Sequence, residues 1–343
     1  MRDMKKAIAK VTIWVIISAL ILVLAIPTAI VGLLGKGGDD LSDNSKNEEC
    51  RVKIPEEIRI WRTDSGRIET VIFEEYICCV VASEMPSSFH KEALKAQSVA
   101  ARTYAMAKVI KYDEKHPAAH EESPICDSTH CQVYKTEKEL SACHSGDWME
   151  SEEGFLKVKE ACEETEGELL YYKDSLVMQP LFFSSSGGYT ENSEDVFAAA
   201  LPYLVSVPSP YEEKATHQNE SKSMGIEEFE TAMRENFPTL DFGPILKDNI
   251  EILSRTDGGR VDEMQVGNCQ VKGTEVRNAV GLSSAMFSVD FEKVAGGVWK
   301  VVFTSNGFGH GVGMSQYGAD GMAKEGYEYK EILSHYYTGT KVY

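Results

Sequence analysis

The chain has 343 residues, 43% hydrophobic and 26% charged, which leaves room for a membrane anchor and one large or two small domains. Its formal net charge of −19 excludes nucleic acid as a partner, because a phosphate backbone would be repelled. Adsorption to anionic lipid outside an anchor is disfavoured for the same reason.

From Val11 to Gly35 no side chain is charged, and Ile, Leu, Val and Ala predominate. A helix rising about 1.5 Å per residue over that run crosses a hydrocarbon core of about 30 Å. The run is longer than the apolar region of a cleaved signal peptide, although Ala25 to Ala29 offers a weak cleavage site. Arg2, Lys5, Lys6 and Lys10 precede it, and Asp39, Asp40 and Asp43 follow. The positive-inside rule then predicts a cytoplasmic tail over 1–10, a single-pass anchor over 11–35 and everything after it outside. Residues 36–50, polar and glycine-containing, read as a linker to an extracytoplasmic domain over 51–343. Eight cysteines outside a membrane invite disulfides, but Cys78 and Cys79 fall in an apolar helical pattern as small core residues. Many thiols without a dense framework suit a reducing habitat.

Along the domain, IRIW and ETVIF between 52 and 71 read as strands. Phe73, Ile77, Val80, Val81 and Glu84 then recur at helical spacing until Pro86. A second helix is predicted from about His90 to Tyr112, with a buried stripe of Ala93, Ala96, Ala100, Tyr104 and Ala107 that includes Gln97. Residues 113–150 lack periodicity and read as an irregular Cys/His-rich insertion. Strands follow over 169–183, then the turn SSSGGYT, a helix over 224–237, and strands over 250–304 with DGGR at 257–260 as a hairpin turn. The C-terminus carries one or two short helices and a final strand. The fold class is α+β: mixed, mainly antiparallel strands, with the helical pair carrying Glu84 beside an open substrate groove.

Glu84 continues an apolar stripe and closes its helix. Desolvation and the negative pole of the helix dipole both raise the pKa of a carboxyl there, as a general acid requires. His120, Cys126, His130 and Cys131 bring two thiols and two imidazoles within one short stretch, a tetrahedral set for structural zinc. A Cys126–Cys131 disulfide competes with that reading, and His116, Cys143 and His144 are alternative ligands. GFGHGVG at 307–313 lacks the βαβ context of a dinucleotide site, so no organic cofactor is expected. It reads either as a turn bracing the catalytic helix or as a sugar-contacting loop. Arg102 reads as half of a structural ion pair or, less commonly for such a residue, as a substrate contact.

The stretch VASEMPSSFHKEALKAQSVAARTYA at 81–105 strongly resembles the stage II sporulation protein D, or amidase-enhancer, family. The likeness recurs in THCQVY at 129–134, SSSGGYTENSEDVF at 184–197, PYLVSVPSP at 202–210, and from NGFGHGVGMSQYGA at 306–319 onward to Gly339. This resemblance implies a peptidoglycan lytic transglycosylase with Glu84, of the motif E-M-P, as catalytic acid. It further implies cleavage of denuded glycan between N-acetylmuramic acid and N-acetylglucosamine, leaving 1,6-anhydro ends. Zinc at the Cys/His insertion is part of the likeness. So is a place in the engulfing membrane of a spore-forming Gram-positive mother cell, beside stage II sporulation proteins P and M. Candidate sugar contacts are Gln132, Tyr134, Ser185, Ser186, Gly187, His310 and Gln316. Two alternatives remain at this point. One is a binding module that only stimulates an amidase. The other is a muramidase using water and a second carboxylate from Glu191, Glu194 or Asp195.

Overall fold

In the computed structural model, residues 52–115, 122–242, 246–293 and 299–343 are described. The tail, anchor and linker read over residues 1–50 lie outside them, as do His116 and His120. Among the described residues no helix is long and apolar enough to cross a membrane. Strands β1 (Glu57–Arg62) and β2 (Arg67–Ile72) form an antiparallel hairpin that runs directly into helix α1 (Phe73–Glu84). Met85 leaves the helix in an extended conformation, as the steric demand of Pro86 requires of the residue before it. Its N–H still bonds the Val81 carbonyl at 2.9 Å.

Helix α2 (Lys91–Lys115) follows. The single stripe expected of it widens to burial on every side from Ala96 to Ala107. The cause is its neighbours: α1, α4 (Phe155–Glu163) and two C-terminal helices all pack against it, and alanines let them approach. The buried Arg102 guanidinium grips the Glu74 carboxylate of α1 through Nε at 2.9 Å and Nη2 at 2.7 Å, which fixes α1 on α2 as the sequence suggested. Between α2 and α4 the stretch read as irregular is partly ordered. Strand β3 (Ile125–Cys126) pairs parallel with β1, and α3 (Glu137–Cys143) starts from a capping box of Thr136 and Glu139. That T-x-x-E signal was available in the sequence. Strands β4 (Leu170–Tyr172), β5 (Ser175–Leu176) and β6 (Phe182–Phe183) and the single turn α5 (Ser193–Val196) complete the first pass through the main core.

The chain then builds a second hydrophobic core around Phe229, Phe242, Met264, Phe287 and Phe303. It comprises β7 (Glu220–Gly225), α6 (Ile226–Asn236), β8 (Ile250–Arg255), β9 (Val261–Val266), β10 (Cys269–Lys272), α7 (Gly273–Val280), β11 (Phe287–Lys293) and β12 (Trp299–Ser305). Two three-stranded antiparallel sheets result, in the orders β10-β9-β8 and β11-β12-β7. The DGGR turn joins β8 to β9 as expected. Helix α7 was missed within a stretch read as strands, because its eight residues bury little beyond Val276 and Val280.

After this insertion the chain returns to the main core. Strand β13 (Met314–Ser315) pairs parallel with β6, then come α8 (Gln316–Lys324), α9 (Tyr329–Tyr336) and β14 (Thr340–Val342), the last paired with β4. The two parallel pairings aside, the sheets are antiparallel, so the α+β class holds.

Candidate active site

Glu84 occupies the last position of α1, where the chain must leave the helix before Pro86. One carboxyl oxygen, Oε1, accepts the Val133 N–H at 2.6 Å. Burial raises the pKa of Glu84 above the ordinary carboxyl value; the Val133 N–H and the Gln316 amide pull it partly back. Glu84 opens on a cleft of about 540 Å³, within the range of small-molecule and sugar sites. Among the described residues lining that cleft, Glu84 is the only carboxylate. Gln316, first residue of α8 and 7% exposed, lines it too. Its amide is near enough to depress the Glu84 pKa, and its Nε2 is buried.

One wall is the loop from Cys126 to Tyr134. The His130 Nδ1 lies 3.7 Å from the Cys126 Sγ and 3.5 Å from the Cys131 Sγ. Donors around a tetrahedral zinc at ordinary bond lengths are ~3.5–3.8 Å apart, so these three fit the metal. The fourth expected ligand, His120, lies outside the described residues. Cys126 and Cys131 are free thiols here, and the hydrogen bond between them favours the Cys126 thiolate while pushing Cys131 up. Cys143 is exposed against Lys135, and His144 stacks on Trp148 at 3.7 Å, so neither joins the cluster. The loop is tied down by Arg62, which reaches Asp127 at 3.1 Å and also Glu139.

Gln132 and Tyr134, expected as sugar contacts, turn inward. Gln132 is 1% exposed and donates to the Tyr76 hydroxyl at 2.8 Å, while Tyr134 packs between Tyr76 and Arg62. Strand-like alternation between Cys131 and Tyr134 sends these side chains to the core. The backbone of Val133 is what reaches the site.

The opposite wall is GFGHGVG, laced to the serine-rich turn by Ser185 N–H to Phe308 O at 3.2 Å, its reciprocal at 2.9 Å, and Glu191 N–H to Gly311 O at 2.8 Å. Ser185 and Ser186 are therefore fully buried, and Ser186 bonds Glu212 through both its N–H and its hydroxyl. Gly187 lines a different cleft. These three do not face Glu84; they brace the wall. His310 does face it. Its Nδ1 accepts the Val312 N–H at 3.1 Å and the ring also bonds the Phe182 backbone. Burial, then the charge of Arg260, push its pKa down to about 4, so it is neutral at pH 7. Phe308 and Phe197 flank it at 43% and 40% exposure.

Beneath the wall, Arg260 from the inserted core pairs with Glu191 at 3.3 Å, both buried. Glu191 is thereby spent on structure, and Glu194 and Asp195 are exposed outside the cleft. No second carboxylate from that trio meets Glu84.

Residues 62–172 match a family described as Stage II sporulation protein. Residues 213–313, which enclose the inserted core, match a domain of unknown function. Stage II sporulation protein D of Bacillus subtilis (strain 168) is 37% identical over 304 residues, covering 87% of this chain and 82% of that protein. The chain belongs to the stage II sporulation protein D family. The Bacillus amyloliquefaciens protein of the same name is 35% identical over 296 residues, covering 86% and 80% of the two chains. A more distant relative, the amidase enhancer of B. subtilis, is 26% identical over 306 residues and is matched over 39% of its length.

Within this family frame the structure brings together Glu84, His130, Cys131, His310 and Gln316 from the expected set. It adds Phe197, Phe308 and the Val133 N–H, which sequence reasoning missed. Phe308 could have been found as the one large apolar side chain in a run of glycines. Nothing in the sequence marks Val133, because its backbone and not its side chain serves the site.

Proposed function

We propose that this family member is a peptidoglycan lytic transglycosylase acting on peptide-free glycan strands during engulfment. The observation that carries the reading is a single carboxyl with a raised pKa in a sugar-sized cleft, with no carboxylate partner among the described lining residues. A muramidase needs a second carboxylate to activate water or trap the sugar; an intramolecular nucleophile does not. Because Val133 occupies Oε1, the proton of Glu84 rides on Oε2. It passes to the glycosidic oxygen as the bond from the anomeric carbon of N-acetylmuramic acid breaks. The 6-hydroxyl of the same sugar closes on that carbon and returns its proton to Glu84, leaving a 1,6-anhydro end. The Gln316 amide borders the acid, Phe197 and Phe308 offer ring faces to the substrate, and neutral His310 shapes the floor with its hydrogen bonds already committed.

Cys126, His130 and Cys131 would hold zinc, with His120 as the fourth ligand. Bound there, the ion supplies structural order to the loop that presents the Val133 N–H. In this reading residues 11–35 anchor the domain outside the membrane, and stage II sporulation proteins P and M are its partners. A second reading, a non-catalytic stimulator of an amidase, draws on the likeness to the amidase enhancer.

Full-length protein incubated with peptide-free glycan strands, with fragments analysed by mass spectrometry, tests this. The wild type should release anhydro-muramic ends, and Glu84→Gln should be slower by about 10²–10⁴-fold. Activity should fall as pH rises through the raised Glu84 pKa, since the acid must be protonated. That same raised value means the ionised form costs stability above the unfolded pKa. Glu84→Gln should therefore unfold no earlier than wild type at pH 7. Reducing ends would assign a hydrolase, no cutting by the wild type would assign the stimulator, and undiminished cutting by the variant would remove Glu84 as the catalytic acid.

A further inference from the structure

A second cleft, of about 460 Å³, opens between Tyr189 and Tyr211 and has no role in the chemistry above. Both rings are largely in solvent, 50% and 42% exposed, in a protein whose other tyrosines are mostly buried or half-buried. Large exposed aromatic faces on a concave surface are binding features, since nothing in the fold rewards leaving them wet.

Its backbone is held in an unfavourable shape. Tyr211 has φ +66° and Asn219, on the same cleft, φ +51°. A bulky residue in the left-handed region costs of order 1–3 kcal/mol, and such strain concentrates where a ligand is held. The floor enforces it. The buried Glu212 carboxylate, next to Tyr211, takes hydrogen bonds from Ser186, from Ser209 at 2.5 Å and from Ser315 at 2.6 Å. Ser315 is followed by Gln316 of the catalytic cleft, so one hydrogen-bonded network fixes both places.

Tyr211 also borders a third cleft, of about 500 Å³, with Pro86 and Tyr317 in its lining. Those residues lie two and one positions beyond Glu84 and Gln316. The second and third clefts share Tyr211 and Glu213, so two joined concavities run from Pro86 and Tyr317, which follow the catalytic pair in the chain, past Tyr211 to Tyr189. A polymer fits such a series and a single small molecule does not.

We propose that the Tyr189–Tyr211 cleft is a second glycan-binding subsite, taking an N-acetylhexosamine unit of the strand remote from the bond cut at Glu84. Sugar rings stack on the tyrosine faces. Gln218, Asn219 and the exposed Glu213 accept or donate hydrogen bonds to hydroxyl and acetamido groups. This rests on the glycan-handling reading but not on catalysis, so it is tested by binding alone.

The probes are peptide-free glycan strands and chitotriose, with full-length Glu84→Gln protein as the background. Tyr189→Ala and Tyr211→Gly should each weaken binding of strands about three- to tenfold. Chitotriose, short enough to be held at the Glu84 cleft alone, should bind unchanged. Tyr211→Phe should retain strand affinity. Tyr211→Gly relieves the positive φ at an exposed position, so its thermal stability should hold or rise while affinity falls. Unchanged strand affinity in both tyrosine variants overturns the proposal, and would leave the cleft to a protein partner. Failure of the background protein to bind any glycan would instead sink the glycan reading itself.

Discussion

The wall from Cys126 to Tyr134 is held by side chains, whereas the wall from Gly307 to Gly313 is held by backbone. In the first, two thiols and an imidazole converge and Arg62 reaches carboxylates on separate elements, while the backbone makes few bonds of its own. In the second, the main chain pairs strand-like with 185–191, and glycines admit neighbours no side chain would tolerate. A Cβ on Gly311 would stand 2.3 Å from the Arg260 guanidinium, at φ +88°. The first design rests on side-chain contacts and charge; the second is built into the fold. Each delivers one element to Glu84, a Val133 N–H from the first and the seat of Gln316 from the second.

Three perturbations would break or sharpen that contrast. The largest effect should come from Arg260→Ala, which leaves Glu191 buried and unpaired at a cost of about 3–5 kcal/mol. Replacing both partners by apolar residues, Arg260→Met with Glu191→Leu, should recover most of the loss in urea unfolding. If the double variant is as unstable as the single one, the pair is not what holds this wall. Next, Gly311→Ala should cost about 3 kcal/mol from positive φ and the close approach together, read from the same unfolding curves. A variant of wild-type stability would show that the wall yields. The smallest should be metal removal. Chelation, or Cys131→Ser, should lower stability by about 2–3 kcal/mol where zinc had been present at hundredfold its dissociation constant. The 307–313 wall should be untouched, so Arg260→Ala and chelation should add. Metal analysis of purified protein returning no zinc would remove the premise.

Part of the site was legible because its signals are local. Helix α1, its end before Pro86 and the placement of Glu84 follow from apolar spacing and proline sterics over a dozen residues. The thiol and imidazole cluster was legible from close spacing alone. Which polar side chains line the cleft was not. Ser185, Ser186, Gln132 and Tyr134 have the right chemistry, but whether a hydroxyl or an amide faces a cleft depends on what packs against it. Burial on every side of α2 had the same origin, since three of its four neighbouring helices come from distant parts of the chain.

By itself, then, the sequence determined the α+β class, helix α1, the carboxyl at its end and the family, each carried by contiguous residues. Tertiary structure alone decided that Glu191 pairs with Arg260, because those partners are 69 residues apart, and that among the described residues Glu84 is the only carboxylate lining its cleft. It also decided that Val133 contributes a backbone N–H, a group every residue but proline carries and no sequence pattern can flag.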